Sequence, residues 1–284
     1  MAAVQWLAAQ PGAETAGFDP VWTSVADLTK LRSSLPAKLR RSFLTPLAAA
    51  LVEPLRLVKD EKELALMSKA ALKGCDLFEH ILGFLRPGLK EIDVAAELEY
   101  RARIAGAEGM SFETIVASGV RSALPHGRAT TTKLPRTGFV TLDFGIILGG
   151  YCSDMTRTVY MGKPKARERA AYEAVLEAQE AGVQAVRAGA SCGEVDEAAR
   201  SVLRKAGLAE AFSHSTGHGV GLEIHESPRI GAGQKSRLVS GMVVTIEPGV
   251  YLAGEFGIRI EDMVAVTPTG GTVLTPAPKA LIEL

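Results

Sequence analysis

The feature that most constrains the fold is a repeated order of elements, two helices followed by a β-hairpin that carries acidic residues. Asp60 with Glu63, and Ser191 with Glu194, stand at the spacing of a helix-starting capping box. The four predicted helices cover residues 60–85, 91–109, 168–188 and 191–210. Two such halves predict an α+β domain with internal pseudo-two-fold symmetry and a site between the halves.

The first predicted hairpin consists of VTLDFGIIL and GYCSDMTRTV, two runs that are rich in apolar and β-branched residues. If Leu148 and Gly149 form a two-residue loop, the register places Asp143 opposite Asp154. Directly opposed residues in a hairpin have Cβ atoms about 4.5–5.5 Å apart. We therefore expect both carboxylates to reach one site.

The second predicted hairpin joins MVVTIEPGVYL to FGIRIEDMVAV through a turn at residues 253–255. This pairing places Glu247 roughly opposite Glu261. Because Pro248 cannot donate to the ladder and the loop has an odd length, we also expect a bulge here. Each hairpin then presents one acidic pair.

The acidic residues and one histidine together favour a metal centre. A single strand carboxylate is more often solvated or paired with a cation, but Asp143 and Glu247 lie in apolar runs where an unpaired charge is costly. With His218, the four carboxylates form a mostly oxygen ligand set, which suits two divalent ions better than one zinc. Paired ions about 3.5–4 Å apart are a standard means of activating water for hydrolysis.

The sequence around each histidine indicates whether that histidine can belong to a metal centre. Of the five histidines, His80 lies on the first long predicted helix and is interpreted as a surface or core residue. Glycines at 217, 219 and 221 disfavour a regular helix around His218 and allow close approach of the backbone to a ligand. A nucleotide-binding loop is the alternative for this G-x-G-x-G run, but no Lys-Ser/Thr follows it.

These motifs resemble the pita-bread metallopeptidases, specifically the aminopeptidase P and prolidase (Xaa-Pro dipeptidase) branch, from about Leu55 to the C-terminus. The resemblance implies a pita-bread fold and five metal ligands, namely Asp143, Asp154, His218, Glu247 and Glu261. It also implies substrate-side roles for His126, His214, His225 and Arg259. LPHG stands where relatives often carry LPHA, a departure that affects the rim of the pocket.

The activity implied by this resemblance is hydrolysis after the first residue of a short Xaa-Pro peptide, with two divalent ions. Mn²⁺ is the expected metal, and Co²⁺ and Zn²⁺ are alternatives. Glu247 would ligate metal and move a proton, while His126, His214 and His225 would stabilise the oxyanion and hold the substrate. The open alternatives are an aminopeptidase with methionine or broader specificity and a non-peptidase relative of the creatinase or chromatin-chaperone kind. Dipeptidase and longer-peptide activity are not distinguished.

Composition and charge lead to predictions about domain organisation, partners and location. Residues 1–52 are interpreted as the remnant of a non-catalytic N-terminal domain and residues 53–284 as the catalytic domain. A formal net charge of zero argues against nucleic-acid or acidic-membrane partners, and the N-terminus lacks the charged region of a signal peptide. Three widely spaced cysteines fit reduced thiols in the cytoplasm. A homodimer is left open.

Overall fold

The computed structural model describes residues 1–284 and divides into two compact units, Met1–Leu55 and Arg56–Leu284. The N-terminal unit buries Leu35, Phe43 and Leu44 in a small core of its own. Its elements are α1 (Ala2–Ala8), β1 (Ala16–Phe18), α2 (Val25–Ser33) and β2 (Leu44–Pro46), and the two strands pair in parallel. A short helix, α3 (Glu53–Leu57), contains the boundary. The interpretation of this unit as a remnant domain stays a prediction.

Four helices of the larger unit match the predicted repeat: α4 (Glu61–Phe84), α5 (Glu91–Ile104), α6 (Ala166–Ala185) and α7 (Cys192–Lys205). The capping boxes predicted at Asp60 and Ser191 are both present, and each side chain accepts a hydrogen bond from the first helical turn. His80 lies on α4 with its ring 2.9 Å from Glu97, as expected for a surface residue. These helix starts were therefore predictable from local capping chemistry alone.

The strands of the larger unit form four antiparallel groups. Their bounds are β3 (Gly109–Met110), β4 (Ile115–Ser118), β5 (Gly138–Phe144), β6 (Ile146–Leu148), β7 (Tyr151–Cys152), β8 (Met155–Met161), β9 (Gly217–Gly219), β10 (Glu226–Ile230), β11 (Val243–Ile246), β12 (Gly249–Leu252), β13 (Phe256–Arg259), β14 (Asp262–Val266) and β15 (Gly271–Val273). The sheet orders are β3-β6-β7, β4-β5-β8, β10-β9-β11-β14-β15 and β12-β13. No helix is both long enough and apolar enough to cross a membrane.

The predicted register of the first hairpin is wrong by two residues. Leu148 pairs with Tyr151, so the two loop residues are Gly149 and Gly150, and Asp143 lies opposite Thr156 rather than Asp154. Both loop glycines have positive φ, 59° and 79°, which a tight hairpin turn requires and which Leu148 would adopt only with strain. A shift of two residues keeps the same face of the strand, so both carboxylates still reach one site.

The second hairpin has the predicted register. Val243 pairs with Ala265 and Gly249 with Arg259, and this continuous register places Glu247 opposite Glu261. The bulge expected at Pro248 is absent, because the pairing continues without a shift on both sides of the proline. The ladder is instead interrupted around Glu247 and Pro248, and the two flanking strand pairs belong to different sheets.

Candidate metal centre

The predicted site residues line one cavity of about 630 Å³ in the larger unit. The lining includes all nine residues singled out in the sequence: His126, Asp143, Asp154, His214, His218, His225, Glu247, Arg259 and Glu261. They come from the two hairpins, from the segment after β4 and from the segment that contains β9 and β10. The fold thus brings together positions that are distant in the chain.

Asp154, His218 and Glu261 form the tightest cluster in this cavity. Their nearest potential ligand atoms all lie within 4.8 Å of one another, a distance that a single cation could bridge. Asp154 and Glu261 are buried, with 4% and 2% of their surface exposed. The hydroxyl of Thr156 donates to Glu261 over 2.6 Å and so fixes the orientation of that carboxylate.

His218 presents one ring nitrogen to the carboxylates. Its Nδ1 lies 3.0 Å from the carbonyl oxygen of Gly219, which can only accept, so Nδ1 carries the proton. Its Nε2 lies 3.6 Å from Asp154 and 3.3 Å from Glu247. A backbone carbonyl that fixes the tautomer in this way is the usual support of a metal-binding histidine.

Asp143 is held by Arg259 on one side only. The guanidinium lies 2.6 Å from Asp143 Oδ2, whereas Asp143 Oδ1 is buried and has no hydrogen-bond partner. Arg259 also donates to the hydroxyl oxygen of Thr156 over 3.1 Å, and Thr156 contacts Glu261. This arginine therefore connects one acidic hairpin to the other.

The electrostatics of the cluster are dominated by burial and by mutual repulsion. Burial raises the pKa of Asp154 and Glu261 well above the ordinary carboxyl value, and neighbouring carboxylates raise it further. Burial likewise raises the pKa of Asp143. Burial would also raise the pKa of Glu247, but the hydrogen bond and charge of His218 outweigh it and lower that pKa to about 2. The cluster therefore concentrates acidic groups that a nearby cation would help to ionise.

Tyr251 also lines the cavity, although no sequence motif marks it. Its hydroxyl lies 3.0 Å from His214 Nε2 and accepts from Arg259 over 2.6 Å. His214 Nδ1 faces the carbonyl oxygen of Ser215 at 2.8 Å, so both ring nitrogens of His214 are engaged. Burial lowers the pKa of His214 and keeps the ring neutral. A tyrosine in an apolar strand is typical of a core residue, so only its contacts identify it.

The open part of the cavity wall carries groups without partners. The rings of His126 and His225 are exposed and make no side-chain hydrogen bond, although His225 packs edge-on against His218 at 4.4 Å between ring centroids. Arg229, on β10 opposite His218, is exposed and has no ion-pair partner. By contrast, Arg128 is paired with Glu113 at 2.9 Å. Arg229 has no local sequence signal beyond its position shortly after His225.

Residues 65–268 match the model of metallopeptidase family M24. The chain belongs to this family. The membership confirms the predicted resemblance and identifies the protein as a metallopeptidase.

Two relatives of this M24 chain are peptidases from a bacterium and an archaeon. It is 44% identical to the uncharacterized peptidase YqhT of Bacillus subtilis over 89% of this chain and 71% of the relative. It is 41% identical to the Xaa-Pro dipeptidase of Pyrococcus horikoshii over 81% of this chain and 66% of the relative. The chain thus spans about two thirds of the length of the archaeal relative.

Two solved structures confirm the pita-bread α+β fold of this M24 member. The Xaa-Pro dipeptidase from Bacillus anthracis superposes with a TM-score of 0.91 at 43% identity, covering 95% of this chain and 74% of that one. The prolidase from Pyrococcus furiosus superposes with a TM-score of 0.88 at 37% identity, covering 93% and 77%.

Membership of M24 implies divalent metal ions, and the residues present fit them. Asp143 Oδ1 is a buried oxygen without a partner, and the Nε2 of His218 faces two carboxylates. Buried acidic groups at such short range would repel one another unless cations neutralised them. The candidate donors are four carboxylates and one imidazole, a set that suits hard or borderline divalent ions.

Proposed function

We propose that this chain is a dinuclear-metal dipeptidase that hydrolyses Xaa-Pro dipeptides. The observation that carries the proposal is the convergence of Asp143, Asp154, His218, Glu247 and Glu261 on one cavity. Relatives named Xaa-Pro dipeptidase or prolidase support the substrate class. We also propose that Glu247 accepts a proton from the attacking water and donates it to the leaving amine.

The metal ions would supply Lewis-acid stabilisation and lower the pKa of a water molecule. Glu247 lies beside the other proposed ligands, with one carboxylate oxygen 3.3 Å from the Nε2 of His218. We assign it the transfer of the water proton to the leaving amine. Thr245 donates to Glu247 over 3.1 Å and restricts its orientation for that transfer.

The histidines divide into two groups in this proposal. His126 and His225 have ring nitrogens without partners and can donate to the developing oxyanion or to the substrate. His214 has no N–H left for that purpose, because Nδ1–H donates to Ser215 and Nε2 accepts from Tyr251. We therefore assign His214 the orientation of Tyr251 and not direct stabilisation of the oxyanion.

Arg229 favours a dipeptide over a longer peptide. A dipeptide differs from an internal segment of a longer chain by its free carboxylate close to the scissile bond. The unpaired guanidinium of Arg229 lies on the wall of the same cavity, on the strand that pairs with His218. Arginine binds carboxylates through paired, charge-assisted hydrogen bonds. We assign Arg229 to the C-terminal carboxylate of the substrate.

Mn²⁺ is the metal that we propose, because oxygen ligands predominate and the single imidazole disfavours an all-nitrogen zinc site. We also propose the cytoplasm as the location, since Cys75, Cys152 and Cys192 are all free thiols. Self-association into a homodimer stays a prediction that sedimentation analysis of the purified chain can decide.

A peptide panel tests the proposed function. The Mn²⁺-loaded protein is assayed with Ala-Pro, Ala-Ala, Ala-Pro-Ala and Met-Ala-Ala at equal concentrations. We expect the highest kcat/KM on Ala-Pro and at least about tenfold less on Ala-Pro-Ala, the loss expected when one charge-assisted contact is absent. Preference for Met-Ala-Ala would establish the methionine aminopeptidase alternative, and no cleavage of any peptide would favour a non-peptidase relative.

A further inference from the structure

We propose that Glu91, which lies outside the metal-centre cavity, is a positioning residue that holds His126 in place for the reaction. The inference rests on the proposed function, in which His126 contacts the substrate. Glu91 is the first residue of α5 and is 0% exposed. Its effect would reach the cavity through the segment between β4 and β5, which contains His126.

The carboxylate of Glu91 contacts this segment on both sides of His126. On the N-terminal side, Ser118 donates to Oε1 from its backbone N–H and from its hydroxyl, both at 2.9 Å. On the C-terminal side, Thr130 donates to Oε2 from its backbone N–H at 3.1 Å and from its hydroxyl at 2.7 Å. One side chain thus joins Ser118 and Thr130, which lie on either side of His126 in the chain.

Arg121 completes this arrangement. Its Nε lies 3.0 Å from Glu91 Oε2, and its terminal nitrogen donates to the carbonyl of Arg128 over 2.7 Å. The guanidinium supplies the positive charge that a buried carboxylate needs, and it adds a tie between residues on either side of His126. The start of α5 also favours a negative charge, because the N-terminal end of a helix dipole is positive.

His126 depends on this backbone for its position. The imidazole is exposed and makes no side-chain hydrogen bond, so no hydrogen bond of its own fixes the ring, and its place depends on the backbone of its segment. Arg259 also holds the segment, because it donates to the carbonyl of Pro125, the residue before His126, over 3.1 Å. Glu91 and Arg259 therefore both restrain the backbone next to His126.

Loss of the Glu91 charge should loosen this segment selectively. In Glu91→Gln, one oxygen is replaced by an NH₂ group, which would face the donors of either Ser118 or Thr130. The metal ligands belong to other segments and make no hydrogen bond to Glu91. We expect normal metal content and a fall in kcat/KM of about tenfold or more, the scale of misplacing a catalytic group by a fraction of an ångström.

A double-mutant cycle tests the positioning role. If Glu91 acts through His126, Glu91→Gln should lower kcat/KM by less than about twofold once His126→Ala is present, because the coupled effect has already been lost. The cycle needs only a peptide that the wild-type protein cleaves. The cycle therefore tests the positioning role of Glu91 even if the protein does not prefer Ala-Pro.

Asp196→Asn provides the matched control. Asp196 is a buried carboxylate on the other half's second helix, paired with Arg200 at 2.8 Å and bonded to the Thr216 hydroxyl at 2.7 Å. Arg200 also donates to the carbonyl of His214, so this pair supports a different histidine. We expect Asp196→Asn to lower kcat/KM by the same factor with and without His126→Ala.

The outcomes separate the two explanations. An equal loss from Glu91→Gln in both backgrounds would show that Glu91 supports the fold in general and would overturn the proposal. Unchanged kinetics of His126→Ala would overturn it as well. If Glu91→Gln does not fold, Thr130→Val removes one hydroxyl donor to the same carboxylate, together with the contacts of that hydroxyl to Thr132, and is carried through the same cycle. Coupling of Thr130→Val to His126→Ala would support the proposal, and strict additivity would contradict it.

Discussion

The guanidinium of Arg259 lies 2.6 Å from one oxygen of Asp143 and leaves the other oxygen buried without a partner. The arginine therefore compensates only part of the charge of the acidic cluster. An unpartnered buried acceptor costs about 1–3 kcal/mol, more when it is charged. A cation that bound the free oxygen would remove that cost, so metal binding should affect stability as well as activity.

Removal of metal is expected to abolish peptidase activity and to lower the melting temperature. Mn²⁺ or Co²⁺ should restore both better than Mg²⁺ or Ca²⁺, because the site includes the imidazole of His218 and few ligands in total. Elemental analysis, thermal unfolding and peptide hydrolysis measured on the same samples check this expectation. Full activity in a demonstrably metal-free preparation would contradict the assignment of the site.

Glu247→Gln should lower kcat by about a thousandfold or more, because it removes a metal ligand and the proton-transferring group together. The size of the side chain is nearly unchanged, so the effect reports on charge. Glu255→Gln serves as the control, since Glu255 lies at the exposed turn of the same hairpin and pairs with Arg167. Retention of more than roughly a tenth of wild-type turnover in Glu247→Gln would show that another residue moves the proton.

His126→Ala and His218→Ala should separate a substrate-side histidine from a ligand. Loss of His126 is expected to lower kcat/KM by about 10²–10³-fold with the metal content unchanged, the usual effect of removing an oxyanion donor. Loss of His218 should lower metal content and activity together. His80→Ala, on the surface of α4, is the control and should change neither. Equal metal loss in the first two variants would make His126 a ligand.

Arg229→Ala should distinguish substrates by their C-terminus. We expect kcat/KM on Ala-Pro to fall by about 10–100-fold, which corresponds to one charge-assisted contact of about 1.5–3 kcal/mol. The amide Ala-Pro-NH₂ lacks the carboxylate, so its already lower kcat/KM should change little in the variant. Arg229→Lys retains the charge and should keep part of the dipeptide preference. An equal loss on the acid and the amide would assign Arg229 a role other than carboxylate binding.

Local chemistry made several elements predictable. The helix starts at Asp60 and Ser191 follow from side chains that cap their own first turn. The register of the second hairpin follows from the alternation of its strands and the position of its turn. The ligand set was recognisable because carboxylates inside apolar strands are expensive unless something binds them.

The register of the first hairpin differs from its prediction by two residues. Asp143 faces Thr156 because Gly149 and Gly150 both adopt positive φ and form the hairpin turn. The predicted loop of Leu148 and Gly149 would have required positive φ at a leucine. The wrong register did not change the predicted site, because a shift of two residues leaves each side chain on the same face of the strand.

The sequence by itself determined the helix pairs, the acidic hairpins and the candidate metal ligands. Only the tertiary structure decided which of these residues lie close together and which additional residues contact the site. Tyr251 contacts His214, and Glu91 contacts both Ser118 and Thr130, across separations at which no local pattern operates. Arg229 is distinguished by its place on the cavity wall, opposite His218 on the neighbouring strand. Such contacts depend on the packing of whole elements, which the periodicity of a single segment does not encode.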